Sequence, residues 1–178
     1  MSNHDPFRPP SLSQHFEPPN GFIGSFGWIC GYSADSGFLD EAAERFTHRT
    51  HAQRAYEGRI SLALMLDPSN KQVTFIDVPG ISHLAVRDDP PFRLLHAKVA
   101  LLGFRHESDA QQWCLRLIVS TGNWTKQTLE DSIDLAWRTD VCDQDLKSQD
   151  NSVSQACADL GAAWDCLLGC VKRLMFKS

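Results

Sequence analysis

Two short apolar segments decide the fold of this chain: LLHAKVALL at 94–102 and LIVSTGNW at 117–124. Each predicts a buried strand that carries polar residues, which a core strand normally lacks. Side chains two positions apart in a strand point to the same face, so His96 and Lys98 are expected to project together. Asn123 follows the second apolar run, where a strand gives way to a loop. The pattern predicts a histidine, a lysine and an amide converging at the end of a sheet, a suitable cradle for a phosphate ester.

Outward from these segments, the pattern predicts alternating strands and helices. Further apolar runs predict strands at 22–30, 61–66, 73–78 and 113–119, and the alternation over 132–137 predicts a half-exposed strand. An apolar stripe at helical spacing over 38–46, which Asp35 and Ser36 can cap, predicts a helix. A second helix is predicted from the seam that runs from Val153 to Leu174 at spacings of four and three. This order is typical of a mixed α/β domain.

Four segments follow from this pattern. Residues 1–20 are rich in proline and predict an irregular arm, and 21–140 form the α/β domain. Residues 141–152 predict a polar linker. Residues 153–178 predict an amphipathic C-terminal helix, whose apolar seam has no cap and no obvious partner in the sequence.

Length and composition point to one ordinary globular domain. A chain of 178 residues, with 42% apolar and 22% charged residues, is long enough for a single well-formed core. The formal net charge of -5 argues against binding long nucleic acid through bulk charge, but it permits a local basic groove around one phosphate.

The cysteines and the N-terminus predict reduced thiols and a cytoplasmic location. Six cysteines are present without a CxxC pair, and the N-terminal residues are polar and rich in proline, unlike a secretory signal. No apolar run approaches the roughly 20 residues that span a bilayer. No metal-ligand cluster is evident, because Cys166 and Cys170, one helical turn apart, are better explained as a buried helix face.

The side chains of His96, Lys98 and Asn123 are of the types that phosphodiester cleavage requires. Imidazole can attack phosphorus and form a covalent intermediate, which divides one difficult step into two. Lys98 supplies positive charge on the same face as His96, and the amide of Asn123 can donate to a phosphate oxygen. Ser120 or Thr121 can add a hydroxyl donor. Such a site needs neither a metal nor a cofactor.

His96-Ala97-Lys98, followed by Ser120-Thr121-Gly122-Asn123-Trp124, resembles one half-site of the phospholipase D superfamily, which has His-x-Lys and then a strand leading to Gly-Ser-x-Asn. Gly103 stands where that superfamily usually has an aspartate, and Ser120-Thr121 stands in place of Gly-Ser. The missing aspartate makes the chain more similar to the tyrosyl-DNA phosphodiesterase branch. The resemblance covers about 94–137.

The resemblance implies a phospholipase D-like mixed sheet flanked by helices, forming one half-unit of a two-half architecture. His96 is then the nucleophile or the general acid, and Lys98 and Asn123 bind the phosphoryl oxygens. Glu130 is expected to orient the His96 ring. Trp124 is expected either to stack on a substrate base or to pack beneath the site.

A complete site of this kind uses two His-Lys-Asn sets, whereas the sequence has one. A symmetric homodimer or a C-terminal half of a longer protein could supply the second. The implied activity is that of a metal-independent hydrolase or nuclease on nucleic acid, with a role in DNA repair. A phosphate- or nucleic-acid-binding module without turnover and a phospholipase are the alternatives.

Overall fold

The computed structural model describes residues 10–130, 134–148 and 150–171, with the backbone alone at 129 and 130. The strands are β1 (Phe22–Gly31), β2 (Leu62–Leu66), β3 (Ile81–His83), β4 (Val99–His106), β5 (Trp113–Ser120) and β6 (Ala136–Cys142). The α-helices are α1 (Ser36–Thr47), α2 (His51–Glu57), α3 (Lys126–Glu130) and α4 (Asn151–Cys170). Short 3-10 helices cover Leu12–Phe16 and Asp145–Lys147.

The strands form one mixed sheet in the order β3-β2-β1-β4-β5-β6. β1, β2 and β3 pair in parallel, while β4, β5 and β6 each pair antiparallel with the strand before them in that order. The prediction of a mixed α/β domain is therefore confirmed. The directions of the strands place the ends of β1, β2, β3 and β5, and the starts of β4 and β6, along one edge, called here the upper edge.

Helices cover both faces of the sheet. On one face, α1 buries Phe38 and Phe46 against side chains that include Ile29 and Leu102. On the other face, α4 buries Leu160 together with side chains of β1, β4 and β5. Because both faces are covered, the central strands are apolar along most of their length rather than alternating.

The two predicted helices are both present. α1 begins after Asp35, whose side chain accepts a hydrogen bond from the Phe38 N–H at 2.7 Å. α4 begins after Asp150, whose side chain accepts a hydrogen bond from Ser152 N–H. The seam of α4 is not free, because Leu160 and Leu167 are buried in the second core. The sequence-based expectation that this seam lacks a partner is wrong over the described part of the helix, and Leu174 lies outside the described residues.

The predicted strands at 22–30, 61–66 and 113–119 correspond to β1, β2 and β5. The strand predicted at 73–78 is wrong. Thr74 donates hydrogen bonds to the Asp77 carboxylate, and the Asp77 N–H bonds back to the Thr74 carbonyl, so this segment closes into a turn. The third parallel strand is instead β3.

The strand predicted at 94–102 begins only at Val99. The last residue of this strand that pairs with β1 is Val99, and before Val99 the segment keeps one bond to β5, from the Ser120 N–H to the Lys98 carbonyl. At the same point the Leu95 N–H donates to the Asp67 carboxylate at 2.8 Å instead of to a strand. His96 and Lys98 therefore lie in the loop that enters β4.

The predicted segment boundaries also move. The prediction of an irregular arm over 1–20 does not hold at 12–16, where a 3-10 helix buries Leu12 and Phe16 against α1; residues 1–9 lie outside the described residues. The strand predicted at 132–137 begins at Ala136, and 131–133 also lie outside the described residues. β6 runs on to Cys142, because it pairs with β5 along that strand's length, and a 3-10 helix follows within the predicted linker.

One pair of cysteines departs from the expectation of reduced thiols. Cys114 and Cys142, which are direct partners on β5 and β6, form a disulfide. Cys30, Cys157, Cys166 and Cys170 are free. Among the helices in the described part of the chain, none has the length and apolar character needed to cross a membrane.

Candidate functional site

His96 and Lys98 lie together at the upper edge, as the sequence predicts, although a loop and not a strand holds them. The Lys98 Nζ is 3.1 Å from both Nδ1 and Nε2 of His96. The Ser120 N–H donates to the Lys98 carbonyl at 3.0 Å, which fixes this backbone beside the end of β5. An imidazole nitrogen can accept a hydrogen bond from the ammonium only through its lone pair. Either ring nitrogen can take that role, because Nζ is equally distant from both.

The two side chains differ in their exposure. His96 is exposed, whereas Lys98 is only 7% exposed. Among the described residues no carboxylate lies within ion-pair distance of the Lys98 ammonium. Lysine is rarely buried to this extent without a partner, because removing its charge from water costs free energy. The site therefore holds a buried positive charge beside an exposed imidazole.

Neighbouring strand ends limit the position of the His96 ring. Tyr32, directly after β1, places its ring centroid 5.5 Å from that of His96, with a 48° angle between the planes. Asp67, directly after β2, accepts a hydrogen bond from Leu95, the residue before His96. Tyr32 and Asp67 were not among the residues predicted for the site. The Asp-Pro-Ser-Asn sequence that begins at Asp67 did indicate that its side chain would bond to the backbone, because an aspartate in such a turn often accepts a hydrogen bond from the residue two positions on.

Asn123 lies at the same edge, in the loop after β5. Its Oδ1 is buried and has no hydrogen-bond partner among the described residues. The adjoining backbone is tied to the β1–α1 connection, because Trp124 N–H donates to the Ser33 carbonyl and Asp35 N–H donates to the Trp124 carbonyl. The backbone next to Asn123 is thus held in place, while the Oδ1 of its side chain is left without a hydrogen bond among the described residues.

Trp124 is the anchor of this loop. Its side chain is fully buried, its Nε1 donates to the Cys30 carbonyl at 2.8 Å, and its ring packs against Phe16 and Phe38. No face of the ring is open to a substrate base. Of the two roles expected for Trp124, packing beneath the site fits the structure, and stacking on a base does not.

The hydroxyls of Ser120 and Thr121 take part in building the turn. The buried Ser120 Oγ accepts a hydrogen bond from Gly122 N–H. Thr121 Oγ1 donates to Asp134 at 2.8 Å and accepts from Leu135 N–H at 3.0 Å. The Thr121 proton, expected to reach a phosphate oxygen, is therefore directed to a carboxylate that the sequence analysis did not single out. Glu130 ends α3, and its side chain lies outside the described residues.

Four arginines lie in and after α1, at positions 45, 49, 54 and 59, and of these Arg54 is buried. Arg54 is 2% exposed and bonds to the Asp40 carboxylate and to the Pro79 carbonyl. Arg45 pairs with Glu41, and Arg49 pairs with Glu57. Arg54 is thus part of the scaffold, whereas Arg45 and Arg49 form ion pairs nearer the surface.

A cavity of about 240 Å³ lies at the opposite edge of the sheet, near the start of β1. It is lined by Arg49, Arg54, Arg59, Glu57 and Glu107 among others. None of the predicted site residues contributes to it. The cavity and the His96 site are therefore separate features at opposite ends of the strands.

The chain has one His-x-Lys triplet. Elsewhere among the described residues, burial lowers the pKa of His15 and of His83, and each has an Nδ1 that is buried without a partner. Lowered basicity together with burial suits these two histidines to the core. Among the described residues, His96 is the histidine that has a lysine nitrogen within hydrogen-bond distance.

Comparison of the chain with protein-family models and with curated proteins finds no match. The chemistry of His96, Lys98 and Asn123 is therefore the basis on which a function is inferred.

Proposed function

We propose that this chain is a phospholipase D-like phosphodiesterase, a hydrolase that acts on nucleic-acid phosphodiesters through His96. The buried Lys98 ammonium carries the proposal. It lies against the His96 ring, and no carboxylate neutralises it among the described residues. An anionic phosphoryl group that binds here would offset the cost of burying this charge.

The reaction proceeds in two displacements. An imidazole nitrogen of His96 forms a bond to phosphorus while the bond to the leaving oxygen breaks, and that oxygen takes a proton from a general acid. Water then adds to phosphorus, returns a proton to that acid, and breaks the nitrogen–phosphorus bond. The products are an alcohol and a phosphate monoester, and His96 is restored.

Lys98 and Asn123 stabilise the charge on the non-bridging oxygens. The Lys98 ammonium is partly desolvated before the substrate arrives, so its attraction for a phosphoryl oxygen is stronger than in water. The Asn123 side chain has no hydrogen bond among the described residues, so its amide protons are free to donate to the same group. No metal ion is required for either role.

The general acid is proposed to be a second histidine of the same kind. A second copy of this chain, or a segment of a longer protein, would supply it across the upper edge. A phosphate-binding module without turnover is the second candidate, which the single histidine set favours.

The test combines molecular mass with turnover. Fractions of the chain are separated by size with light scattering, and cleavage of a chromogenic phosphodiester and of a short single-stranded DNA is followed in EDTA. We expect a dimer that cleaves without metal and forms an acid-labile phosphoryl-enzyme. His96→Ala should abolish both signals. His106→Ala is the matched control, because His106 ends the same strand at the opposite edge.

The other results separate the alternatives. Binding of phosphate without turnover, at concentrations where the chain is dimeric, favours the binding module. Turnover that survives His96→Ala contradicts the assignment of the nucleophile. Hydrolysis of phospholipid vesicles in preference to DNA would assign the same chemistry to a lipid substrate.

A further inference from the structure

Asp67 is a buried carboxylate that the proposed reaction does not use. It is 5% exposed and follows β2 at the upper edge. One oxygen, Oδ1, accepts from both the N–H and the hydroxyl of Ser69, and the other, Oδ2, accepts from Leu95 N–H at 2.8 Å. Its own N–H donates to the Gly31 carbonyl at 3.1 Å. Asp67 therefore joins the ends of β1 and β2 through its backbone N–H, and it joins them to the segment that carries His96 through its carboxylate.

His96 needs such an anchor because the bond of its segment to a neighbouring strand comes two residues later, between the Lys98 carbonyl and Ser120 of β5. The His96 ring is exposed, and the residues before Val99 lie outside the sheet. Leu95 is fixed from two sides, since its side chain is buried in the core beneath α4 and its N–H is held by Asp67. The backbone that carries the imidazole is thus fixed at Leu95, the residue directly before it.

The Tyr32 ring is the second neighbour that limits the position of His96. Tyr32 follows Gly31, whose carbonyl accepts the Asp67 N–H, and its ring contacts His96. Tyr32, which contacts the ring, follows β1, and Asp67, which bonds to Leu95, follows the neighbouring strand β2. Together they restrict both where the imidazole lies and how it is tilted.

We propose that Asp67 is a positioning residue that holds the His96 imidazole in its attacking orientation by fixing the Leu95 backbone. The proposal rests on the function proposed for His96. A carboxylate is needed because both of its oxygens accept hydrogen bonds, whereas an amide offers one acceptor oxygen and places an NH₂ group against a donor.

The test compares Asp67→Asn with Ser69→Ala and Asp109→Asn. Ser69→Ala removes one partner of the carboxylate but keeps the bond to Leu95. Asp109→Asn changes a similar turn at the opposite edge, where Asp109 accepts from Gln111 N–H. We expect Asp67→Asn to lower kcat for phosphodiester cleavage about 10- to 100-fold, with KM changed less than about twofold. The two controls should stay within about twofold of the wild type in both.

Nuclear magnetic resonance supplies readouts that do not need turnover. In Asp67→Asn we expect faster hydrogen exchange at the Leu95 amide and displaced ring signals of His96, with both unchanged in Asp109→Asn. An unchanged His96 ring environment in a folded Asp67→Asn protein would overturn the proposal. If the wild type shows no cleavage, the proposed function fails while these spectra still decide the role of Asp67.

A further measurement applies if Asp67→Asn does not fold. In the wild-type protein, the Leu95 amide proton should shift together with the Asp67 carboxyl carbon during an acid titration. Independent titration of the two nuclei would overturn the proposal.

Discussion

Arg116 and Lys98 are both buried cations at the same sheet, but they differ in what neutralises them. Arg116 is 3% exposed and forms a two-pronged pair with the Asp140 carboxylate, at 2.8 and 2.7 Å. Its remaining donor bonds to the carbonyls of His15 and Glu17, and its guanidinium lies 5.0 Å from the Phe104 ring centroid. Lys98, 7% exposed, has the His96 imidazole and no carboxylate among the described residues.

Whether a buried cation has a carboxylate partner distinguishes the scaffold from the candidate site. Within the scaffold, the Asp140 carboxylate matches the buried guanidinium of Arg116, and the Asp40 carboxylate matches that of Arg54. At the upper edge a buried charge remains unmatched, which costs stability but leaves an attraction for an anion. Buried ionisable groups that the fold does not satisfy are the ones that suit a ligand.

Arg116→Met should change the free energy of unfolding more than the other variants, because it breaks the buried ion pair with Asp140. The variant leaves Asp140 without its bidentate partner and two carbonyls of the N-terminal segment without their donor. We expect the free energy of unfolding to fall by about 3 kcal/mol in urea denaturation. Arg138→Met is the matched control. Arg138 lies 3.8 Å from the same carboxylate but is exposed, so its loss should cost less than about 1 kcal/mol. Equal losses in the two variants would contradict this view of the scaffold.

The sequence was sufficient for several segments that determine their own structure, although not for 73–78, where local bonds between Thr74 and Asp77 form a turn and not the predicted strand. The periodicity of 38–46 and the cap at Asp35 predicted α1, and the two-residue spacing of His96 and Lys98 predicted their proximity. It was not sufficient where the decisive partner is distant in the chain. Asp67 captures the Leu95 N–H 28 positions away, and that bond, which no local pattern reveals, replaces the predicted strand pairing before Val99.

Trp124 and α4 illustrate the same limit. A tryptophan beside a site residue suits stacking or packing equally well, and the choice depends on Phe16, Phe38 and the Cys30 carbonyl, all far away in sequence. The apolar seam of α4 predicted the helix but not the sheet face that covers it. Local chemistry thus predicted that His96 and Lys98 lie together, and tertiary contacts determined what holds them.

Inorganic phosphate should stabilise the wild-type chain through the unmatched Lys98. At a concentration ten times its dissociation constant, a ligand that binds only the folded state raises the free energy of unfolding by about 1.4 kcal/mol. We expect a matching rise in the thermal midpoint that is absent in Lys98→Met. Comparing the two proteins in the same phosphate buffer cancels the general effect of this salt on burial. Equal stabilisation of both proteins would show that the phosphate acts elsewhere.

Lys98→Met without any anion should change stability in the direction opposite to Arg116→Met. Methionine has a similar length and no charge to desolvate, so the free energy of unfolding should rise by about 1 kcal/mol. Urea denaturation in a buffer free of phosphate measures this difference, with Lys147→Met as an exposed control. A clear loss of stability in Lys98→Met would mean that the scaffold satisfies this lysine after all, and the contrast with Arg116 would disappear.

The smallest effect concerns the acid dependence of the Asp67 anchor. Burial alone would raise the pKa of Asp67, but the hydrogen bonds from Ser69 and Leu95 outweigh it, so the folded-state pKa lies below its usual value of 3.8. Below that value the unfolded chain binds the proton more readily than the folded one. The stabilising contribution of Asp67 is therefore complete above about pH 4 and is lost as pH falls through the folded-state pKa. The stability difference between wild type and Asp67→Asn should shrink over that interval in urea denaturation, and a difference that stays constant down to pH 2 would show that the charge of Asp67 does not stabilise the fold.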